Sequence, residues 1–280
     1  MSKILIVGCG AIGSELAAVL SAKGHDVTGL KRKPPLSASG SVHYVAADIS
    51  SAANLAGLDA DFAQAFFIVS PDGRNEQSYR AVYQTGLDNL LDRLPETHWT
   101  MVSSTSVYGQ NQGEWVDEDS PAEPGNITSR LIRQAEQRLI ASNPANVVVR
   151  FSGIYGPGRE YLLRQAMQTP AIQQTPPYFT NRIHQRDCVG VLAFLLEQRL
   201  TGKALAQCYL ASDDDPAPTW EVVSWLAERL HCPPPVIKAV DADAGMNKRC
   251  NNTKLKALGY QFEYPSYKDG YLELIAARGS

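Results

Sequence analysis

Two rhythms of apolar residues alternate along the first half of the chain. The first is a set of short unbroken runs: "KILIVG" at 3–8, "DVTGL" at 26–30, "VHYVA" at 42–46, "AFFIV" at 65–69, "WTMVS" at 99–103 and "NVVVRF" at 146–151. Runs of this length, rich in Val, Ile and Phe, predict strands buried on both faces of a parallel sheet. The second rhythm is helical. Ile12, Leu16, Val19 and Leu20 share one face, and Gly24 supplies a stop. Tyr79, Val82, Tyr83, Gly86, Leu87, Leu90 and Leu94 mark one side of a long helix over 76–94, and 129–141 reads as another. Strands that alternate with helices imply right-handed crossovers, with helices on both faces of the sheet.

From about residue 152 the texture changes. "YGPGRE" and "QTPAIQQTPPYFTNR" are rich in Pro, Gly and polar residues, yet helices are predicted at 187–198 and 219–230. The fold class is therefore α/β, a Rossmann-type doubly wound parallel sheet with a smaller C-terminal substrate lobe. Residues 1–151 form the sheet domain. Residues 152–280 form a mixed segment in which the last strands are interleaved with the lobe.

Composition narrows the function classes. A net charge of -3 over 280 residues provides no field for nucleic acid. Basic residues cluster at Lys31, Arg32 and Lys33, and acidic ones at Asp213, Asp214 and Asp215, the latter read as a solvated loop. Five widely spaced cysteines without a CxxC, and histidines without metal-ligand spacing, argue against a disulfide framework or a metal site. They suit a reducing cytoplasm. Glu15 interrupts the apolar N-terminal stretch, which argues against a secretory signal, and no apolar run is long enough for a membrane span.

The chemistry begins at "GCGAIG". Gly8, Gly10 and Gly13, with Ala11 and Ile12 between them, stand in GxGxxG spacing directly between a strand and a helix. In that context the first Gly permits the tight turn and the second lets backbone approach a pyrophosphate. The third allows close helix packing, with the phosphates at the helix N-terminus. Strand two ends in Lys31 and Arg32, where an NAD-specific site would place a carboxylate on the ribose. A basic pair there favours the 2′-phosphate of NADP over NAD, against a solvated loop as the alternative. Asp48 and Ile49 end strand three on the adenine side, where Asp48 could bond the adenine amino group or cap a helix. Val69 and Ser103, at the ends of strands four and five, complete the candidate cofactor set.

These motifs, with "SSTSVYG" at 103–109, "RFSGIYGPGR" at 150–159 and "NRIHQRDCV" at 181–189, resemble the extended short-chain dehydrogenases/reductases, the NAD-dependent epimerase/dehydratase family. The resemblance runs nearly end to end. It implies a strand hydroxyl, Ser104, acting beside a helical Tyr-x-x-x-Lys pair that performs the proton transfer. Here Thr128 and Ile132 stand at those two positions, and no Tyr lies between Tyr108 and Tyr155. Thr105 and Ser106 replace the Asp and Glu of the dehydratases. The chain thus resembles the atypical branch, which keeps the fold and cofactor site without the pair. Its only Tyr-x-x-x-Lys, Tyr264 to Lys268, contains Pro265 and is taken as chance.

Replacement chemistry has one titratable candidate, His184, weighed against a histidine bonded within its own loop. Tyr155, Arg159 and Arg182 are candidate substrate-binding residues, the arginines for an anionic group. Asp117, Glu118 and Asp119 read as a solvated acidic turn. The expected function is an oxidoreductase or epimerase acting on a small hydroxyl, carbonyl or nucleotide-sugar substrate. The alternative is a non-catalytic NADP(H)-binding sensor or regulatory protein. A homodimer through helices 76–94 and 129–141 is implied by the resemblance alone.

Overall fold

The computed structural model describes residues 1–35, 42–240 and 245–278. The apolar runs become strands of one seven-stranded parallel sheet: β1 (Lys3–Val7), β2 (Asp26–Lys31), β3 (His43–Ala46), β4 (Gln64–Phe67), β5 (His98–Ser104), β6 (Val147–Phe151) and β7 (Cys208–Ala211). Their order is β7-β6-β5-β4-β1-β2-β3. Ile4 is registered on Val27 of β2 on one side and Gln64 of β4 on the other. Every residue of β4 and of β6 is buried, as the unbroken apolar runs require. The order reverses at β1, so the crevice at its carboxyl end, beside β4, is where such a sheet binds ligands.

The first strand turns into α1 (Ala11–Ala22), which buries Ile12, Leu16, Ala17 and Leu20. A short α2 (Ala52–Leu55) follows β3. The predicted long helix is three pieces: α3 (Glu76–Arg80), a π-helical stretch (Ala81–Gly86) and α4 (Leu87–Arg93). Then come α5 (Ile127–Ser142), α6 (Tyr161–Ala166), α7 (Gln185–Leu200), α8 (Thr219–Arg229), α9 (Thr253–Leu258) and α10 (Tyr267–Arg278). The fourth strand ends at Phe67 rather than at residue 69.

The chain divides into two compact units. The first holds 1–107, 123–150 and 189–209; the second holds 108–122, 151–188 and 210–280. The chain crosses between them more than once: it visits the second unit at 108–122, enters it again at 151 and returns to the first at 189–209. Within the second unit, strand Gly153–Tyr155 pairs in parallel with Arg182–His184, and Glu114–Val116 with Lys248–Cys250. Its core gathers Tyr155, Leu162, Leu163, Val222, Leu226 and Tyr271.

Candidate functional site

The glycine turn is built by close approach. Gly8 has φ +97°, and a Cβ there would stand 2.4 Å from the Ile68 carbonyl oxygen at the end of β4. A Cβ on Gly13 would stand 2.2 Å from the Gly8 carbonyl oxygen, so any side chain would push α1 off β1. Gly10, the N-cap of α1, is different: nothing lies within 4 Å of its Cβ position. Space is open at the one glycine past which a phosphate must approach, and closed at the two that shape the turn. The residues present fit a dinucleotide pyrophosphate.

The basic pair at the end of β2 is already engaged. Lys31 Nζ donates to the Cys9 carbonyl inside the turn at 3.0 Å, which makes it a brace for that loop. Both Nη groups of Arg32 meet the Asp72 carboxylate, the second at 2.6 Å. That ion pair is exposed on both sides, so it contributes little to stability and exchanges readily. Asp48 does not cap a helix. Its Oδ1 accepts from the Ser50 hydroxyl at 2.7 Å and the Ser50 N–H at 2.9 Å, which lowers its pKa. Ile49 is buried against the Gly86 position, and Val69 gives its carbonyl to Tyr83 at 3.4 Å.

The strand that carries Ser103 and Ser104 is held by a buried ion pair. Ser103 Oγ donates to Glu136 Oε1 at 2.5 Å, which fixes the direction of its hydroxyl proton. Arg150 donates to both oxygens of Glu136 at 2.9 and 2.7 Å, and Arg133 adds a bond at 2.8 Å. Glu136 on α5 and Arg150 on β6 are both buried, and the multiple bonds offset the desolvation of their charges. Ser104, next along, is half-buried and accepts from the Ser106 N–H at 3.1 Å. Thr128 gives its hydroxyl to Asn126, the N-cap of α5, and Ile132 lies in the core. The two positions where the resemblance places the proton-transfer pair hold a hydroxyl bonded to the helix cap and a packed aliphatic chain.

In the second unit His184 is 1% exposed and sits in an aromatic stack, 3.8 Å from the Tyr264 ring centroid and 5.2 Å from that of Tyr155. Its Nδ1 accepts from the Arg186 N–H at 3.3 Å, so the neutral ring carries its proton on Nε2, which is buried without a partner. Burial lowers its pKa. This is the histidine bonded within its own loop, not a proton shuttle. Tyr264 is buried, contacts Glu273 and Arg186, and precedes α10, whereas Lys268 is inside it, so that Tyr-x-x-x-Lys shares no helical face. Tyr155 stacks on Tyr271 at 4.6 Å in the core, with its hydroxyl unpartnered. Arg159 is exposed and Arg182 half-buried.

Around the second-unit loops, Tyr108 donates to the Asp117 carbonyl at 2.7 Å. The acidic turn is structural: Asp117 accepts from Ser120, and Glu118 reaches the Leu210 N–H at 2.7 Å. Sequence reasoning missed Asp72, Glu136 and Asp213. The acidic run read as a solvated loop contains Asp213, which is 1% exposed. Its signal was the apolar "CYLA" strand that ends two positions before it. Among the described residues no cluster of His, Cys, Asp and Glu could hold a metal ion.

A model of the NAD dependent epimerase/dehydratase family matches residues 4–201. Protein YeeZ of Escherichia coli (strain K12) is 28% identical over 291 residues, covering 95% of this chain and 97% of YeeZ. The 3-diazoavenalumate denitrifying reductase of a Streptomyces species is 26% identical, covering 96% of this chain and 98% of the reductase. A solved epimerase/dehydratase-type structure from Methylobacillus flagellatus superposes with a TM-score of 0.85 at 37% identity, covering 100% of this chain and 99% of that one.

Proposed function

The chain belongs to the NAD-dependent epimerase/dehydratase family, and from that premise we propose that it binds a nicotinamide dinucleotide at Gly8, Gly10 and Gly13 and acts as an atypical short-chain dehydrogenase/reductase. The substrate is a small molecule bearing a hydroxyl or carbonyl group. The observation that carries the cofactor reading is the open Gly10 position between two glycines whose side chains would collide. Backbone N–H groups at the start of α1 take the pyrophosphate, aided by the helix dipole. Asp48 and Ile49 border the adenine. The absence of a carboxylate at the end of β2 supports NADP(H) over NAD(H), with Arg32 leaving Asp72 for the 2′-phosphate. Lys31 braces the turn from below.

When bound, the nicotinamide supplies hydride chemistry. Ser104 holds a substrate oxygen by hydrogen bonding. No side chain of the inherited pair moves the proton, and loss of a general acid–base group costs about 10²–10⁴-fold in rate. The relatives include a reductase and an epimerase family protein, which supports oxidoreductase or epimerase chemistry here.

The locked states of Thr128, Ile132 and His184 favour a second reading, a cofactor-binding sensor without turnover. Titration with NADPH and NADH, then oxidation of NADPH against a carbonyl panel, separates the two. Turnover abolished by Ser104→Ala supports catalysis at this strand. Tight binding with no turnover leaves the sensor. Cysteines without disulfides suit a reducing cytoplasm, and a homodimer through α3, α4 and α5 completes the proposal. Among the described residues no helix is long and apolar enough to cross a membrane.

A further inference from the structure

Two short parallel strands of the second unit, Glu114–Val116 and Lys248–Cys250, have one buried face and one open face. Val116, Lys248 and Cys250 are buried on the first. Trp115 and Arg249 stand opposite each other in register, so alternation sends both side chains to the second. There Trp115 is 54% exposed and Arg249 half-buried. The central carbon of the Arg249 guanidinium lies over the Trp115 ring, 4.9 Å from its centroid, and over the Phe179 ring at the same distance. Its Nε donates to the Gly113 carbonyl at 2.8 Å. Gly113 has φ +80°, and a Cβ there would stand 3.2 Å from the Phe179 ring, so glycine lets that ring close in. Asn247 ties the parts together: its carbonyl accepts from the Gly113 N–H and its Oδ1 from the Phe179 N–H, each at 2.8 Å.

The guanidinium held in this way is not neutralised. Its Nη1 and Nη2 have no hydrogen-bond or ion-pair partner among the described residues, and neither is shut off from solvent. The carboxylate next to Trp115, on Glu114, accepts instead from the Gln112 N–H at 2.6 Å. A surface arginine ordinarily loses much rotamer freedom when it grips a ligand. Here two rings and a carbonyl have already fixed it, and the edge left free is the fork that matches two oxygens of one group. Beside it stands a large apolar ring with most of its surface still in water. Trp and Arg are the residue types that dominate binding hot spots, and aromatic rings gain from stacking on one another.

We propose that Arg249, Trp115 and Phe179 form a binding site for an oxyanion, carboxylate or phosphate, carried on a flat aromatic group. The free Nη groups of Arg249 take two oxygens of the anion, and the exposed part of Trp115 stacks on the aromatic group. The site lies wholly in the second unit; it goes beyond the cofactor reading and does not rest on it.

The test is calorimetric titration of the full chain with sodium benzoate and with phenyl phosphate. Sodium acetate, inorganic phosphate and neutral benzamide are the references. Saturable binding of an aromatic anion is expected, about tenfold or more tighter than any reference. Arg249→Met keeps an apolar stem against the rings without the fork and should weaken binding about tenfold or more. Arg249→Lys keeps the charge without the fork and should weaken it severalfold. Trp115→Ala removes a mostly exposed ring, so the fold survives, and affinity should again fall severalfold. Binding of benzoate alone assigns a carboxylate, and of phenyl phosphate alone a phosphate. Three results would each overturn the site and leave Arg249 as a packing brace for Phe179. They are no saturable binding of either anion, a reference that binds as tightly, and affinity within about twofold of the unmutated chain in Arg249→Lys or Trp115→Ala.

Discussion

Replacing Gly10 by Ala adds one methyl group at the N-terminus of α1, where nothing stands within 4 Å of the new atom. Gly10 has φ -81° and ψ -159°, a backbone conformation open to Ala. Ala is a poorer N-cap than Gly, a cost of under ~1 kcal/mol. The loss of chain freedom in the unfolded state offsets it by ~0.4–1 kcal/mol. The net change is small, and even ~1 kcal/mol would move Tm by only about 2–4 °C in a chain of this size. Cofactor binding is another matter. The methyl group fills the space through which a pyrophosphate reaches the backbone N–H groups. Hydrogen bonds to charged groups contribute ~1.5–3 kcal/mol each, so losing one lowers affinity about ten- to a hundredfold. Gly13→Ala should behave in the opposite way. Its methyl would lie 2.2 Å from the Gly8 carbonyl oxygen, and forced overpacking of this kind costs ~1–3 kcal/mol. Its Tm falls along with its affinity. The assay is an NADPH fluorescence titration beside a thermal melt on each variant. Should Gly10→Ala melt normally and bind NADPH within about twofold of the unmutated chain, the turn is not the phosphate site.

Glu136→Ala takes the paired carboxylate away from buried Arg150 and should cost ~3–5 kcal/mol in urea unfolding. A double replacement, Glu136→Met with Arg150→Met, should cost much less; equal losses would refute the ion-pair account. Arg32→Glu should weaken NADPH about tenfold or more while sparing NADH, and Asp72→Asn should strengthen NADPH by freeing Arg32. Equal or better NADH affinity in the unmutated chain would sink the NADP reading. His184 has a lowered folded pKa, so the unfolded chain binds its proton first as pH falls. Its share of stability is complete above the ordinary histidine value of about 6.5 and is lost as pH drops below it towards the folded value. The difference in unfolding free energy between the unmutated chain and His184→Phe should therefore change across that window; a pH-independent difference refutes the buried neutral ring.

Much of the fold was legible because it rests on local pattern. The runs around Ile4, Phe66 and Val149 are apolar without alternation, and only a sheet covered on both faces buries them. Gly8, Gly10 and Gly13 announced the turn because a tight strand-to-helix connection tolerates nothing larger at two of those positions. The absence of proton-transfer residues at Thr128 and Ile132 was equally plain, since a missing functional group needs no coordinates. What sequence could not supply was the partner of each polar side chain. Ser103 and Ser104 are neighbours in one strand, yet alternation sends the first hydroxyl inward to Glu136 and leaves the second at the surface of the strand end. Arg32 meets Asp72, forty positions away, and Lys31 folds back on Cys9. His184 looked titratable until two tyrosine rings closed around it, and Asp213 looked solvated until it followed a buried strand into the second unit. Backbone form follows from neighbours along the chain. The charge and availability of a side chain follow from neighbours in space, and for this chain only the tertiary structure decides those.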